Sequence, residues 1–456
     1  MIIDSNTSLI EKELLRGWLY LALASLVIPG ITAILLVLLR TISIDAAAGW
    51  GDLFRAALVI HVDLSVFVWF ISIGGILWTI DGGSSRLPQK RAALWMIAIG
   101  STTISISPLF GNAQSILNNY IPVIDNPIFF TGLILIWIGL LFTSLLQLFS
   151  PSSKLAGNIA ASAALLSILV LSVSWSALSD NKIDHFYFEQ LFWGAGHTLQ
   201  FVYTLLLLIS WNIISKHLEL MVWLTPPRFN FLMILGALPL IYIPWLYLQF
   251  NPLAAEITVG FAQLMRYGNG VAPGVMGILL LSAIYTKIRV KKTETRGRWI
   301  NDPASPINAA LYSSMTLFAA GGVVSIFISG INTIIPAHYH GSIVGITLSF
   351  MGLIYLLLPR LGFSVPTGRI ATFQPYIYAL GQMMHIAGLA LSGSEGAQRK
   401  TVGVSADSIN SITEQAGVFL TRSGGLIAVA GGILFLIVCW RAIRIGRTTI
   451  TTTTIS

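Results

Sequence analysis

The chain has 456 residues, of which 55% are hydrophobic and only 10% are charged, and its formal net charge is +8. A soluble domain carries about 25% charged residues, so a chain this apolar cannot cover its surface with polar groups and must use lipid as its solvent. The single Cys439 excludes internal disulfides and cysteine-based metal clusters. The polar start, "MIIDSNTSLIEKELLRG", precedes an apolar run of full spanning length, which predicts a retained first helix and no cleavable signal peptide.

Twelve apolar runs follow one another, each about as long as the hydrocarbon core of a bilayer requires. Turn-rich polar segments such as "DGGSSRLPQK" and "LTPPRFN" separate them. The twelve predicted helices cover residues 17–40, 54–80, 92–111, 126–149, 155–177, 186–214, 229–250, 255–286, 305–334, 336–359, 371–393 and 421–444. The sequence therefore predicts an all-α polytopic membrane protein with a single transmembrane domain over 1–445. A low-complexity tail, 446–456, is predicted to be disordered.

Positive charge alternates from loop to loop along the chain. Lysine and arginine concentrate before the first helix, in every second loop and after the last helix, as with Lys90 and Arg91 in the second loop and Arg444 near the end. The positive-inside rule then places both termini in the cytoplasm. The same rule explains the basic net charge without any binding of nucleic acid.

Five of the seven histidines fall in predicted helices, in the half of the membrane away from the cytoplasm or near its midplane. These are His61, His197, His338, His340 and His385. An imidazole in lipid is costly without a partner, so an intramembrane histidine is a candidate functional residue. One such residue could simply make a hydrogen bond between helices. Five at a similar depth favour a cofactor site.

His338 and His340 lie two residues apart at the start of the tenth predicted helix. Residues two apart on a helix differ by about 200° in direction, so the two rings point to opposite sides and cannot easily chelate one metal ion. They can instead hold two flat cofactors, one on each flank. Neutral imidazole is the usual axial ligand of haem iron. The spacing thus predicts a helix shared between two haems, with His61 closing one iron from its far side.

These segments carry a family resemblance. The segment "AHYHGSIVGITLSFMGLIYLLLPRLG" resembles helix 10 of haem–copper oxidase subunit I, which bears this His-x-His pair. The segment "HVDLSVFVWF" resembles that family's helix 2, "FWGAGHTLQFVY" its helix 6 and "MMHIAGLALSG" its helix 11. The order, the spacing and the twelve-helix layout match over nearly the whole chain. The chain is most similar to the divergent branches of this superfamily.

The resemblance implies roles for individual histidines. His61 and His340 would be the two axial ligands of a low-spin haem, and His338 the single axial ligand of a high-spin haem. His197 would be a copper ligand. Together, His338 and His197 would form the catalytic centre.

The resemblance also implies contacts with the haem propionates, an electron donor and a location in the cell. Arg399 and Lys400, after helix 11, would pair with haem propionates, although an ordinary solvated loop explains them equally well. Electrons would come from a partner subunit, cytochrome c or a quinol, because the chain has no motif for attaching a c-type haem. The expected location is the bacterial inner membrane.

The chain departs from the family pattern at the copper site. The family supplies two adjacent histidines from the loop between helices 7 and 8, whereas no histidine occurs here between His217 and His338. His197 alone would hold copper poorly, since such ions take about three or four strong ligands. The tyrosine that many oxidases place four residues after this histidine is replaced by Phe201. We therefore expect an incomplete copper site. For Asp63, near His61, we expect a supporting or solvated role.

Three functions remain open from the sequence. The first is a respiratory oxidase that passes electrons from the low-spin to the high-spin haem and reduces dioxygen, or a related nitric oxide reductase. The second is a degenerate paralogue that binds haem for electron transfer, sensing or assembly without oxygen chemistry. The third is a transporter without haem, but the His-x-His pair would then have no purpose.

Overall fold

The structure is a computed structural model that describes residues 8–41, 50–111, 114–290, 302–399 and 411–453. Within these ranges eleven helices are long and apolar enough to cross a membrane, and a more polar helix of 27 residues makes the twelfth. The predicted class, an all-α polytopic membrane protein, is confirmed. The helices are Leu9–Thr41 (α1); Trp50–Val62, Asp63–Val68 and Trp69–Gly82 (α2); Leu87–Ile106 (α3); Pro127–Leu148 (α4); Leu155–Ala177 (α5); His185–His217 (α6); Pro226–Ala237, Leu238–Ile241 and Tyr242–Gln249 (α7); Ala255–Leu264, Met265–Asn269 and Val271–Val290 (α8); Ala304–Ser325 (α9); Ile334–Leu357 (α10); Gly368–Ser394 (α11); and Ile412–Thr453 (α12).

Two C-terminal helix ends differ from the sequence prediction by about nine residues. The ninth helix ends at Ser325, before the predicted end at 334. Gly330 and Asn332 follow in a turn, and the Asn332 side chain accepts a hydrogen bond from the backbone N–H of Ile334 at the start of α10. Hydropathy could not locate this end, because Ile326 and its neighbours are as apolar as the helix. The last helix continues to Thr453, through most of the segment where a disordered tail was predicted.

Two membrane helices contain a wider π-helical turn. One covers Asp63–Val68 in α2, directly after His61, and the other covers Met265–Asn269 in α8. A proline inside a helix usually breaks it, and α8 contains Pro273. The interruption instead comes before it, and the helix restarts at Val271, which puts the proline in a first turn where its missing N–H costs nothing. Such π turns occur often at functional sites.

The chain forms two compact units. Unit 1 comprises Met1–Thr32, Asp52–Ile209 and Trp223–Met276, and unit 2 comprises Ala33–Gly51, Ser210–Val222 and Gly277–Ser456. In unit 1, α4 packs against α3 and α5; in unit 2, α10 packs against α9, and α11 against α12. The chain passes repeatedly between the units, so neither is a separate stretch of sequence. The single domain over 1–445 stays a prediction.

A short β-hairpin connects α3 to α4 in unit 1. Its strands, Ser115–Ile116 (β1) and Val123–Ile124 (β2), are antiparallel. Asn126 then caps α4, since its side-chain oxygen accepts a hydrogen bond from the backbone N–H of Ile128 at 2.7 Å. The sequence did not predict this hairpin.

Glycines set the helix contacts of unit 2. Gly417, Gly424 and Gly431 recur every seven residues on α12, and a Cβ built on Gly424 would lie only 2.6 Å from the carbonyl oxygen of Gly381 on α11. In α9, a Cβ on Gly321 would lie 2.9 Å from the carbonyl oxygen of residue 338 in α10. Because lipid tails are as apolar as leucine, membrane helices associate through such small residues. The backbones of these helices therefore touch at the level of the histidines.

Candidate haem-ligand histidines

His338 in α10 is held by the neighbouring helix. Its Nδ1 lies 2.8 Å from the carbonyl oxygen of Gly321 in α9. A carbonyl oxygen can only accept a hydrogen bond, so Nδ1 carries the proton and the lone pair of the neutral ring is on Nε2. The structure thus fixes both the direction of the ring and the nitrogen that is able to bind a metal.

His61 and His385 have the same arrangement. Nδ1 of His61 donates to the carbonyl oxygen of Pro29 in α1 at 3.0 Å, and Nδ1 of His385 donates to that of Thr421 in α12 at 2.8 Å. Histidines that bind metals almost always donate their second ring N–H to a carbonyl or a carboxylate. All three histidines therefore have the form in which Nε2 can bind haem iron.

His340 lies beside His385 in unit 2. The centres of the two rings are 4.7 Å apart, and the ring planes are inclined at 65° in an edge-to-face arrangement. The sequence assigned no role to His385, and the structure makes it a neighbour of a predicted haem ligand. His61 belongs to unit 1, so its predicted pairing with His340 stays a prediction.

His197 in α6 uses both ring nitrogens within unit 1. Nδ1 donates to the carbonyl oxygen of Trp193 at 2.7 Å, and Nε2 lies 2.8 Å from the hydroxyl oxygen of Tyr120. Since Nδ1 carries the proton, Nε2 accepts the tyrosine O–H. The ring is almost fully buried between the rings of Trp193 and Tyr120, whose centres are each 4.6 Å away. A metal ion on Nε2 would have to displace the Tyr120 hydroxyl. The copper role of His197 stays a prediction.

Sequence reasoning missed Tyr120. The α3–α4 hairpin carries it, and the adjacent Asn119 fixes that hairpin by donating from its backbone N–H and its side-chain amide to the carboxylate of Glu189 in α6. Gly196 leaves room for the tyrosine ring, which a Cβ at that position would overlap. A signal was present: residues 111–126, "GNAQSILNNYIPVIDN", are long for a simple connection and have an asparagine pair between two β-branched stretches.

Asp63 is buried, which makes the solvated alternative wrong and leaves the supporting role as a prediction. It is 1% exposed, and neither carboxylate oxygen has a hydrogen-bond partner among the residues that the structure describes. The residue begins the π turn after His61, in the interior of unit 1. Hydropathy could not predict this burial, because an acidic residue in an apolar run has the same hydropathy whether its side chain faces the protein interior or the surface.

The remaining predicted site residues lie after α11. Arg399 is half-buried there, and Lys400 is outside the described residues. Their pairing with haem propionates stays a prediction. Within the described ranges, no three histidine, cysteine, aspartate or glutamate side chains cluster to hold a metal ion. A haem iron requires only one or two such ligands.

Nearly the whole chain is similar to known proteins in sequence and in fold. No protein family model matches it. It is 28% identical to an uncharacterized protein of Rickettsia prowazekii (strain Madrid E), over 94% of this chain and 96% of that one. A solved heme-copper terminal oxidase dimer has the same fold, with a TM-score of 0.72 over 96% of this chain and 84% of that chain, at 17% identity. An uncharacterized protein of Aquifex aeolicus (strain VF5) is 30% identical over 79% of this chain and 88% of its own length. This integral membrane protein therefore belongs to the family of the Aquifex aeolicus protein, and its fold is that of a heme-copper terminal oxidase.

Proposed function

We propose that the chain is a haem-binding redox subunit of an oxidase-type membrane complex. His61 and His340 hold a low-spin haem, and His338 holds a high-spin haem. The observation that carries the proposal is the hydrogen bond from Nδ1 of His338 to the carbonyl of Gly321, because it prepares Nε2 to bind iron. The similar bond from His61 to Pro29 supports the low-spin site.

His338 would hold a haem that, when bound, would supply the chemistry of dioxygen or nitric oxide reduction. The electrons would come from a partner subunit, cytochrome c or a quinol. Arg399 and Lys400 would neutralise propionates. The complex would lie in the bacterial inner membrane with both termini of this chain in the cytoplasm.

A second candidate is a haem protein of the same fold that does no oxygen chemistry. The hydrogen bond between Tyr120 and His197 favours it, since the nitrogen that would bind copper already accepts the tyrosine O–H. Copper held by one histidine would in any case be poorly coordinated. On either proposal we expect far less than one copper ion per chain.

An optical spectrum of the purified protein, with metal analysis by mass spectrometry, tests both proposals. Two haem signals, one of which binds carbon monoxide, would support the oxidase-type subunit. A six-coordinate spectrum without carbon monoxide binding would support the second candidate. Absence of haem from protein purified out of a haem-replete membrane would refute both. One copper per chain with rapid oxygen consumption would show that unrecognised ligands complete the copper site.

A further inference from the structure

His385 lies next to a proposed haem ligand but cannot share an iron with it. Two imidazoles on opposite sides of one iron have their ring centres about 6 Å apart, given metal–nitrogen bonds of about 2 Å. The observed separation between His340 and His385 is 4.7 Å. The shorter separation instead leaves room for a hydrogen bond from the N–H of one ring to the nitrogen of the other.

The hydrogen bond to α12 determines which nitrogen of His385 can accept a further hydrogen bond. The Nδ1–H of His385 donates to the carbonyl oxygen of Thr421, so the lone pair of the neutral ring is on Nε2. His385 is thus a hydrogen-bond acceptor at Nε2. When Nε2 of His340 binds iron, Nδ1 of His340 must carry a proton and becomes a donor.

The distance permits these two nitrogens to meet. Each ring nitrogen lies about 1.1 Å from its ring centre, so ring centres 4.7 Å apart allow an N···N separation of about 2.9 Å, a normal hydrogen bond, after a small rotation.

Glycine contacts hold His385 in place. A Cβ on Gly425 would lie 3.5 Å from Nδ1 of His385, and one on Gly424 would collide with the His385 backbone. The close approach of α11 and α12 therefore fixes this residue from the side of α12.

We infer that His385 is a positioning residue for the low-spin haem: its Nε2 accepts the Nδ1–H of His340 and orients that ligand. The inference rests on the proposed function, because it requires His340 to bind iron. A histidine ligand that donates a hydrogen bond is a more basic ligand, which favours ferric over ferrous iron. His385 should accordingly lower the reduction potential of the low-spin haem.

Two substitutions separate this role from simple packing. His385→Phe keeps an aromatic ring against His340 but has no acceptor. His385→Gln loses the ring but keeps an acceptor oxygen at about the position of Nε2. The measurement is a redox titration of the low-spin haem band in full-length protein, with Tyr376→Phe, an exposed position on the same helix, as control.

We expect the midpoint potential to rise in His385→Phe and to remain near the wild-type value in His385→Gln and in the control. The six-coordinate band itself should persist in all three variants. The reverse pattern, with glutamine shifted and phenylalanine unchanged, would overturn the inference and make His385 a packing residue. Unchanged potentials in both variants would also overturn it. Wild-type protein without a six-coordinate haem would instead refute the proposed function, and this inference with it.

Discussion

At the scale of single residues, backbone carbonyls decide which histidine nitrogen is able to bind iron. Pro29, Gly321 and Thr421 each supply a carbonyl oxygen to a histidine on another helix. The sequence predicted His61 and His338 as ligand candidates from their depth and spacing. It could not predict the carbonyl partners, because every residue has a carbonyl and only helix packing selects one.

The two histidines at the start of α10 should have separable effects. We expect His340→Ala to abolish the six-coordinate haem signal while the protein still inserts, because the alanine cannot bind iron. His338→Ala should instead remove the carbon monoxide-binding haem. Absorption spectra of the two purified variants check this, with His217→Ala as a control at the far end of α6. A wild-type low-spin spectrum in His340→Ala would rule out its assignment.

Tyr120→Phe should destabilise unit 1. The change removes the hydroxyl that donates to Nε2 of His197 and leaves that buried nitrogen without its partner, at a cost of about 1–3 kcal/mol. Thermal unfolding in detergent measures the loss. The double variant with His197→Phe should be less destabilised than the sum of the two single changes, since both remove the same hydrogen bond. Strict additivity would mean that the hydrogen bond contributes nothing.

At the scale of elements, a glycine pair in α9 offers a matched test. A Cβ on Gly321 would press against the α10 backbone at His338, whereas one on Gly322 meets nothing within 4 Å. We expect Gly321→Ala to cost about 1–3 kcal/mol through overpacking and to deplete the carbon monoxide-binding haem. Gly322→Ala should be neutral or slightly stabilising. Equal haem content in the two variants would mean that this helix contact does not position His338.

The membrane helices were predictable from the length of the apolar runs. The features that were not predicted, such as the hairpin and the π turn, have physical reasons for being missed. The α3–α4 hairpin is only two residues deep in each strand, too short for an alternating pattern to appear. The π turn at Asp63–Val68 leaves no trace in hydropathy, since it changes hydrogen-bond spacing and not composition. The helix contact at Gly417, Gly424 and Gly431 could have been predicted from the sequence, because a seven-residue period keeps small residues on one helix face.

At the scale of the whole molecule, the alternation of loop charge predicts an orientation that the fold alone does not determine. Arg86 in the α2–α3 turn, with Lys90 and Arg91 in the first turn of α3, should face the cytoplasm, and the α3–α4 hairpin should face the opposite side. The chain is convenient for testing this, because Cys439 is its single cysteine and is buried.

Single cysteines introduced at two exposed positions test the orientation. With Cys439 replaced by alanine, Gln114→Cys in the hairpin should react with a membrane-impermeant maleimide added to intact spheroplasts. Gln89→Cys, at the start of α3, should react only after the membrane is permeabilised. Because both side chains are exposed in the fold, a difference in labelling reports the membrane side and not burial. If only Gln89→Cys is labelled in intact spheroplasts, the orientation of the protein is the reverse of the predicted one. The histidines near the start of α10 would then lie on the cytoplasmic side of the membrane, and the electron donor would have to reach the haems from there.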